Sequence, residues 1–157
     1  MTPAAKHPAS TPRAVRTPKA KQQRDADFAS AAETRDLLKS SWSARSARLA
    51  ADDMLSTDEA AALAGTSRVT INAWIAKGRC IGLSQAVRGF RVPSWQFEPD
   101  FWPLVPKLAE ALGTTEGWAL LSFLETPHGA LGGTTPRAAI EQGRSERVLE
   151  LAGSEGF

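Results

Sequence analysis

Residues 55–93 read LSTDEAAALAGTSRVTINAWIAKGRCIGLSQAVRGFRVP, and this stretch decides the fold. Ser56-Thr57-Asp58-Glu59 has the spacing of a capping box: Ser56 caps a helix, Glu59 reaches back to the cap, and the acids sit where the helix dipole favours them. A short helix, Asp58 to Ala64, is expected to follow. Gly65-Thr66-Ser67 then breaks it, because Gly65 permits the positive φ of a tight turn and Ser67 caps a second helix, Arg68 to Lys77, which Gly78 ends. Two short helices joined by a turn containing glycine form a helix-turn-helix. Cys80 to Leu83 and Gly89 to Val92 read as two strands around a polar turn, with Pro93 ending the second. That pair would be a wing.

A helix that enters the DNA major groove needs small or hydrogen-bonding residues on one face and an apolar strip on the other. Here Ile71, Trp74 and Ile75 fall on the inner side, while Ser67, Arg68, Thr70, Asn72 and Lys77 point outward. Arg68 suits guanine, Asn72 an adenine or a phosphate, and Arg79, Arg88 and Arg91 lie where an adjacent backbone or minor groove would pass. The competing expectation is a small helical packing unit whose basic residues are solvated.

Working outward, residues 1–24 hold six basic and no acidic side chains and four prolines, and they read as a disordered basic tail. No apolar core of a secretory signal follows its charges, and its prolines interrupt the amphipathic helix of an organelle transit peptide. In 25–54, Phe28, Ala31, Leu38, Trp42 and Leu49 recur at helical spacing, with Arg35 and Arg45 filling the missing turns. One amphipathic helix is expected, packed on its own domain or offered to a partner helix.

After Pro93 the text changes. Ser94 to Pro103 is an aromatic connector, and helices are expected at Leu104 to Leu112, at Glu116 to Leu124 with a cap at Thr114 or Thr115, from Thr135-Pro136 to Gly143, and from a Ser145 cap to about Ala152. A loop, Thr126 to Thr134, separates the middle pair. Charge reverses as well: residues 57–92 carry five basic and two acidic side chains, whereas 93–157 carry four and nine. A polyanion is drawn to the first and repelled by the second, so two different partners are expected on one chain.

Composition sets the outer bounds. With 157 residues, 42% apolar and 23% charged, the chain suffices for one ordinary domain or two small ones and excludes wholesale disorder. Cys80 is the single cysteine and His7 and His128 the only histidines, so neither a disulfide nor a nitrogen- or sulfur-ligated metal site is expected. No Ser/His/Asp set or phosphate loop is present. No catalytic residues, cofactor or membrane span are therefore expected, and a cytoplasmic location is.

The stretch MLSTDEAAALAGTSRVTINAWIAKGR followed by GFRVPSWQF resembles the winged helix-turn-helix of excisionase and MerR-type DNA-binding domains. It departs from that pattern at Val69 and Ala73, where the family usually carries polar or basic groups. Trp118-Ala-Leu-Leu-Ser-Phe-Leu-Glu-Thr-Pro-His-Gly-Ala-Leu-Gly-Gly-Thr-Thr-Pro-Arg with Gly143-Arg-Ser-Glu-Arg-Val-Leu is similar to the toxin-binding domain of Xre/MbcA/ParS-type antitoxins, with His128 at the family's usual asparagine. That resemblance implies an antitoxin that neutralises a toxin encoded by an adjacent gene, often a RES-domain enzyme that degrades NAD. It also implies a contact region at Leu131, Gly132, Gly133, Pro136, Arg147, Glu155 and Phe157. On their own the glycines admit either close approach by another backbone or a turn between packed helices.

The expected protein is thus mainly α. It has a disordered tail (1–24), an amphipathic helix (25–54), a winged helix-turn-helix with a short β-hairpin wing (55–93) and an all-helical C-terminal domain (94–157). Its expected partners are operator DNA and a protein toxin, and its expected state a homodimer. The alternative is an excisionase-like or MerR-like regulator without a toxin.

Overall fold

A computed structural model describes residues 30–84 and 89–156. The expected tail 1–24, the start of the 25–54 segment, Arg88 and Phe157 lie outside the described residues. The protein is mainly helical, with one small antiparallel sheet of three strands. Compact packing divides it into Met1–Trp42 and Ser43–Phe157.

Helix α1 (Ala31–Leu49) buries no residue. Of the expected apolar stripe, Leu38 and Trp42 are 66% and 55% exposed, and Phe28 lies outside the described residues. Arg35 and Arg45 interrupt the stripe, and only its last turn is engaged. There Leu49 rests on the core, Arg45 lies 5.0 Å over the Trp118 ring, and Arg48 is clamped between two carboxylates.

Strand β1 (Met54–Ser56) leads into α2 (Thr57–Ala64), whose capping box forms as expected: Ser56 Oγ accepts from Glu59 N, and Glu59 accepts from Ser56 N. Gly65 takes φ +66° and closes the helix. Ser67 caps α3 (Arg68–Ala76), and Gly78 at φ +72° turns the chain out of it. Ala60, Ala61, Ile71, Ile75, Cys80 and Val92 form a small core between these elements. Trp74 meets Trp102 edge to face at 5.2 Å, and Trp102 stacks on Phe97, so the aromatic connector closes the inner side of α3.

The sheet differs from the expected hairpin. Strand β3 (Phe90–Pro93) is central, pairing with β1 on one side and with β2 (Leu83–Ser84) on the other. Cys80 and Ile81 are not in a strand, because Gln96 supplies what a neighbouring strand would. Its Oε1 accepts from Ile81 N at 2.7 Å, while its Nε2 donates to the carbonyls of Ile81 and Pro93 at 3.0 Å. A fully buried amide with every group satisfied costs little and fixes the chain path.

Beyond a 3₁₀ turn (Ser94–Phe97) come α4 (Val105–Leu112), α5 (Gly117–Glu125), a second 3₁₀ turn (Gly129–Leu131), α6 (Pro136–Glu141) and α7 (Ser145–Glu155). Two expected caps are displaced. Glu116 rather than Thr114 or Thr115 caps α5, its carboxylate accepting from Trp118 N and Ala119 N, and Thr114 Oγ in turn accepts from Glu116 N. Ser145 is the first residue of α7, which has no side-chain cap and continues past Ala152.

Packing contacts continue across residue 93, where the composition changes. Met54, Ile81 and Leu83 share a core cluster with Trp95, Phe101 and the buried faces of α4 to α7. Trp118 Nε1 donates to Ser84 O at 3.0 Å. Gly117 lies so close to the Gly82 carbonyl that a Cβ would stand 2.0 Å from its oxygen. The two segments are thus packed against each other as well as each around its own buried residues.

Candidate functional site

The outer face of α3 follows from its spacing. With Ile71 and Ile75 buried inward, Val69, Ala73 and Ala76 fall on the opposite side and Asn72 on its flank, while Arg68 stands at the N-terminal end above the buried face, and all five are exposed. Arg68 and Asn72 have no intramolecular partner among the described residues. Thr70 is only half exposed, and its hydroxyl lies 3.0 Å from Ser67 Oγ, so both hydroxyls are already engaged in the cap.

The other expected DNA contacts are dispersed around this face. Lys77 ends α3 and lines a shallow cleft of about 410 Å³ with Pro106, Glu110 and Thr115, facing α4. Arg79 is exposed, with its guanidinium 5.9 Å from the Trp74 ring centroid. Arg91 is exposed on β3, across from Ser56 and Leu83. Hydrogen bonds from Ser56 hold the Glu59 carboxyl below its ordinary pKa, and Arg91 adds a smaller electrostatic contribution. Arg88 lies outside the described residues. Cys80 is buried beneath α3, and burial pushes its thiol up to about 12, which leaves it unreactive.

At the C-terminal end, the positions singled out by resemblance divide between buried and exposed, and Phe157 lies outside the described residues. Leu131 and Pro136 are buried. Gly132 and Gly133 take φ +68° and +81°, and a Cβ on either would meet nothing within 4 Å. Within this chain they make a left-handed turn, and no described residue packs closely against either. The turn is closed by a bridge between His128 and Thr134, with His128 N donating to Thr134 O at 3.1 Å. Arg147 pairs with Glu150 at 3.1 Å, and Glu155 lies 3.3 Å from His128 Nδ1.

Three features had not been singled out from the sequence. His128 is largely covered and sits beside Phe123, where it lines a cleft of about 240 Å³ with Leu112, Ser122 and Glu155. Arg137 lies 4.5 Å over the Trp95 ring and reaches Glu125. Gly82 and Gly117 approach each other closely, and Gly78 and Gly156 also have no room for a Cβ; no local pattern marks Gly82 or Gly117. No helix among the described residues is long and apolar enough to cross a membrane. Comparison with protein-family models, curated proteins and solved structures finds no match for this chain.

Proposed function

We propose that this chain is an antitoxin of a type II toxin–antitoxin system, which binds operator DNA through α3 and neutralises the toxin encoded by an adjacent gene through its acidic C-terminal helices. The observation that carries the DNA half is the exposed side of α3, a helix with no acidic residue, where Arg68 at the N-terminal end and Asn72 on the flank have no partner among the described residues. In this reading α2 and α3 are a helix-turn-helix, and β2 and β3 are its wing. The toxin half is supported by the sequence resemblance over Trp118 to Leu149 and by the reversal of charge after residue 93. A RES-like, NAD-degrading toxin, a homodimeric state and a cytoplasmic location belong to the same proposal.

A regulator without a toxin is the second reading. It is favoured by Leu131, Pro136 and the two glycines, whose burial and backbone conformation are explained within the fold.

One experiment tests both. The full chain is co-expressed with the adjacent gene's product, with growth and cellular NAD as readouts, and its binding to the upstream DNA is compared for wild type, Arg68→Ala and Asn72→Ala. Loss of a good base contact costs on the order of 1–3 kcal/mol. Unchanged affinity and sequence preference in both variants would remove α3 from the DNA interface. A neighbouring product that is harmless, or toxic yet forms no complex with the full chain, leaves the regulator.

A further inference from the structure

Val69 is 77% exposed, more than any other large apolar side chain among the described residues. It stands in the first turn of α3, and Ala73, four residues on and so on the same face, is exposed too. A β-branched side chain in a helix loses rotamer freedom, and at this position it recovers nothing by packing. Val69 therefore does not hold the free chain together. Around it the polar groups are few: Ser67 and Thr70 are engaged with each other, which leaves Arg68 and Asn72 to form hydrogen bonds outward.

In the major groove the one apolar group on a base edge is the 5-methyl of thymine. We infer that Val69, seconded by Ala73, contacts the 5-methyl of a thymine beside the base read by Arg68 or Asn72, and so determines sequence specificity. This rests on the DNA-binding reading above. Charge favours DNA as the occupant, since α3 has no acid, Arg68 stands in its first turn, and Lys77 and Arg79 follow its end. A protein partner would call for a wider apolar patch than one valine and two alanines supply.

The test uses the full chain and its upstream DNA. After footprinting, each protected thymine is replaced singly by deoxyuridine, which removes only the methyl. Wild type is expected to lose about three- to fivefold in affinity at one position or two adjacent ones. Val69→Ala should lose a similar factor on the parent duplex and become indifferent to uracil at that position, with an unchanged thermal midpoint because the side chain is exposed. Val69→Thr, which keeps a methyl, should retain part of the discrimination. Specific binding with no uracil effect anywhere, or with the effect undiminished in Val69→Ala, overturns the inference and leaves DNA binding standing. Failure to bind any duplex sinks both. If Val69→Ala leaves DNA affinity intact and instead weakens a complex with the adjacent gene's product, the face docks protein and the inference is wrong.

Discussion

The outer face of α3 and the turn from Leu131 to Pro136 were both expected to meet partners, and the fold treats them differently. On α3, Arg68 and Asn72 have no internal work, and Val69 projects into solvent. In the turn, Leu131 and Pro136 pack inward, His128 and Thr134 close the ends, and the glycines satisfy positive φ. A surface whose groups are left over asks for a ligand; a turn whose groups are used up explains itself. The glycines make the same point within one residue type. Gly132-Gly133 is conspicuous in the sequence and faces open space, whereas the isolated Gly82 and Gly117 hold two backbones together.

The largest expected effect sharpens that last contrast. In Gly117→Ala the new Cβ would fall 2.0 Å from the Gly82 oxygen and 2.8 Å from its carbonyl carbon, and backbone cannot rotate away as a side chain would. Overpacking of this kind costs about 3 kcal/mol or more. Gly132→Ala meets nothing and bears only the left-handed conformation, about 1–2 kcal/mol. Urea midpoints measure both. A greater loss from Gly132→Ala would place the close approach at the loop after all.

Next in size is the clamp on the end of α1. Arg48 donates to Asp53 at 2.7 and 2.8 Å and to Glu125 at 2.6 and 2.9 Å, a pair of two-pronged ion pairs. The three side chains are 20%, 29% and 27% exposed, so water screens the pairs, and Arg48→Ala should cost about 1–2 kcal/mol rather than the larger loss of a fully buried pair. The hydrogen bonds from Arg48 hold the Asp53 carboxyl below its ordinary value. A carboxyl lowered by folding stabilises above its unfolded pKa of about 3.9, and that stabilisation fades as pH falls through the folded value. The stability gap between wild type and Arg48→Ala should be full at neutral pH and close below about pH 4. A gap that stays constant with pH would mean that the arginine's stem, not its charge, does the holding.

Legibility followed the range of the interactions. Ser56, Glu59, Gly65, Ser67 and Gly78 act within one turn of their own position, and the α2–α3 pair came out of the sequence with ends shifted by a residue. Strand β1 is invisible locally: Met54–Ser56 is three residues whose partner, Arg91–Pro93, lies far along the chain. Gln96 reads as one polar residue among aromatics, and only the fold shows its amide replacing a strand for Ile81. The cap of α5 fell to Glu116, not to a threonine, beside a Gly117 whose fit against Gly82 is a long-range fact. On the candidate site, the outward face of α3 was readable from its period, whereas the burial of Leu131 and Pro136 depended on packing that no short motif records.

The smallest expected effects on stability separate the two regions most cleanly. Arg68 is exposed and unpaired, and Arg147 pairs with Glu150 at 3.1 Å with side chains 55% and 67% exposed, a contact of the kind worth little in water. Arg68→Ala and Arg147→Ala should each shift stability by no more than about 0.5 kcal/mol, so Tm serves as the control rather than the readout. Binding then discriminates. On the DNA-binding proposal, Arg68→Ala should weaken binding to the upstream DNA roughly 5- to 150-fold, the equivalent of about 1–3 kcal/mol for a base contact, while Arg147→Ala leaves it unchanged. Arg147 carries the complementary test for the C-terminal end, because a screened ion pair within one helix has no route to a large effect except through a partner. If Arg147→Ala abolished protection against the adjacent gene's product at unchanged Tm, α7 would have to lie in an interface, and the asymmetry between the two regions would be one of when their ligands are seen rather than whether they have any. Full protection by both Arg147→Ala and Gly132→Ala, by contrast, would leave α3, of these two regions, as the one with work to do outside the chain.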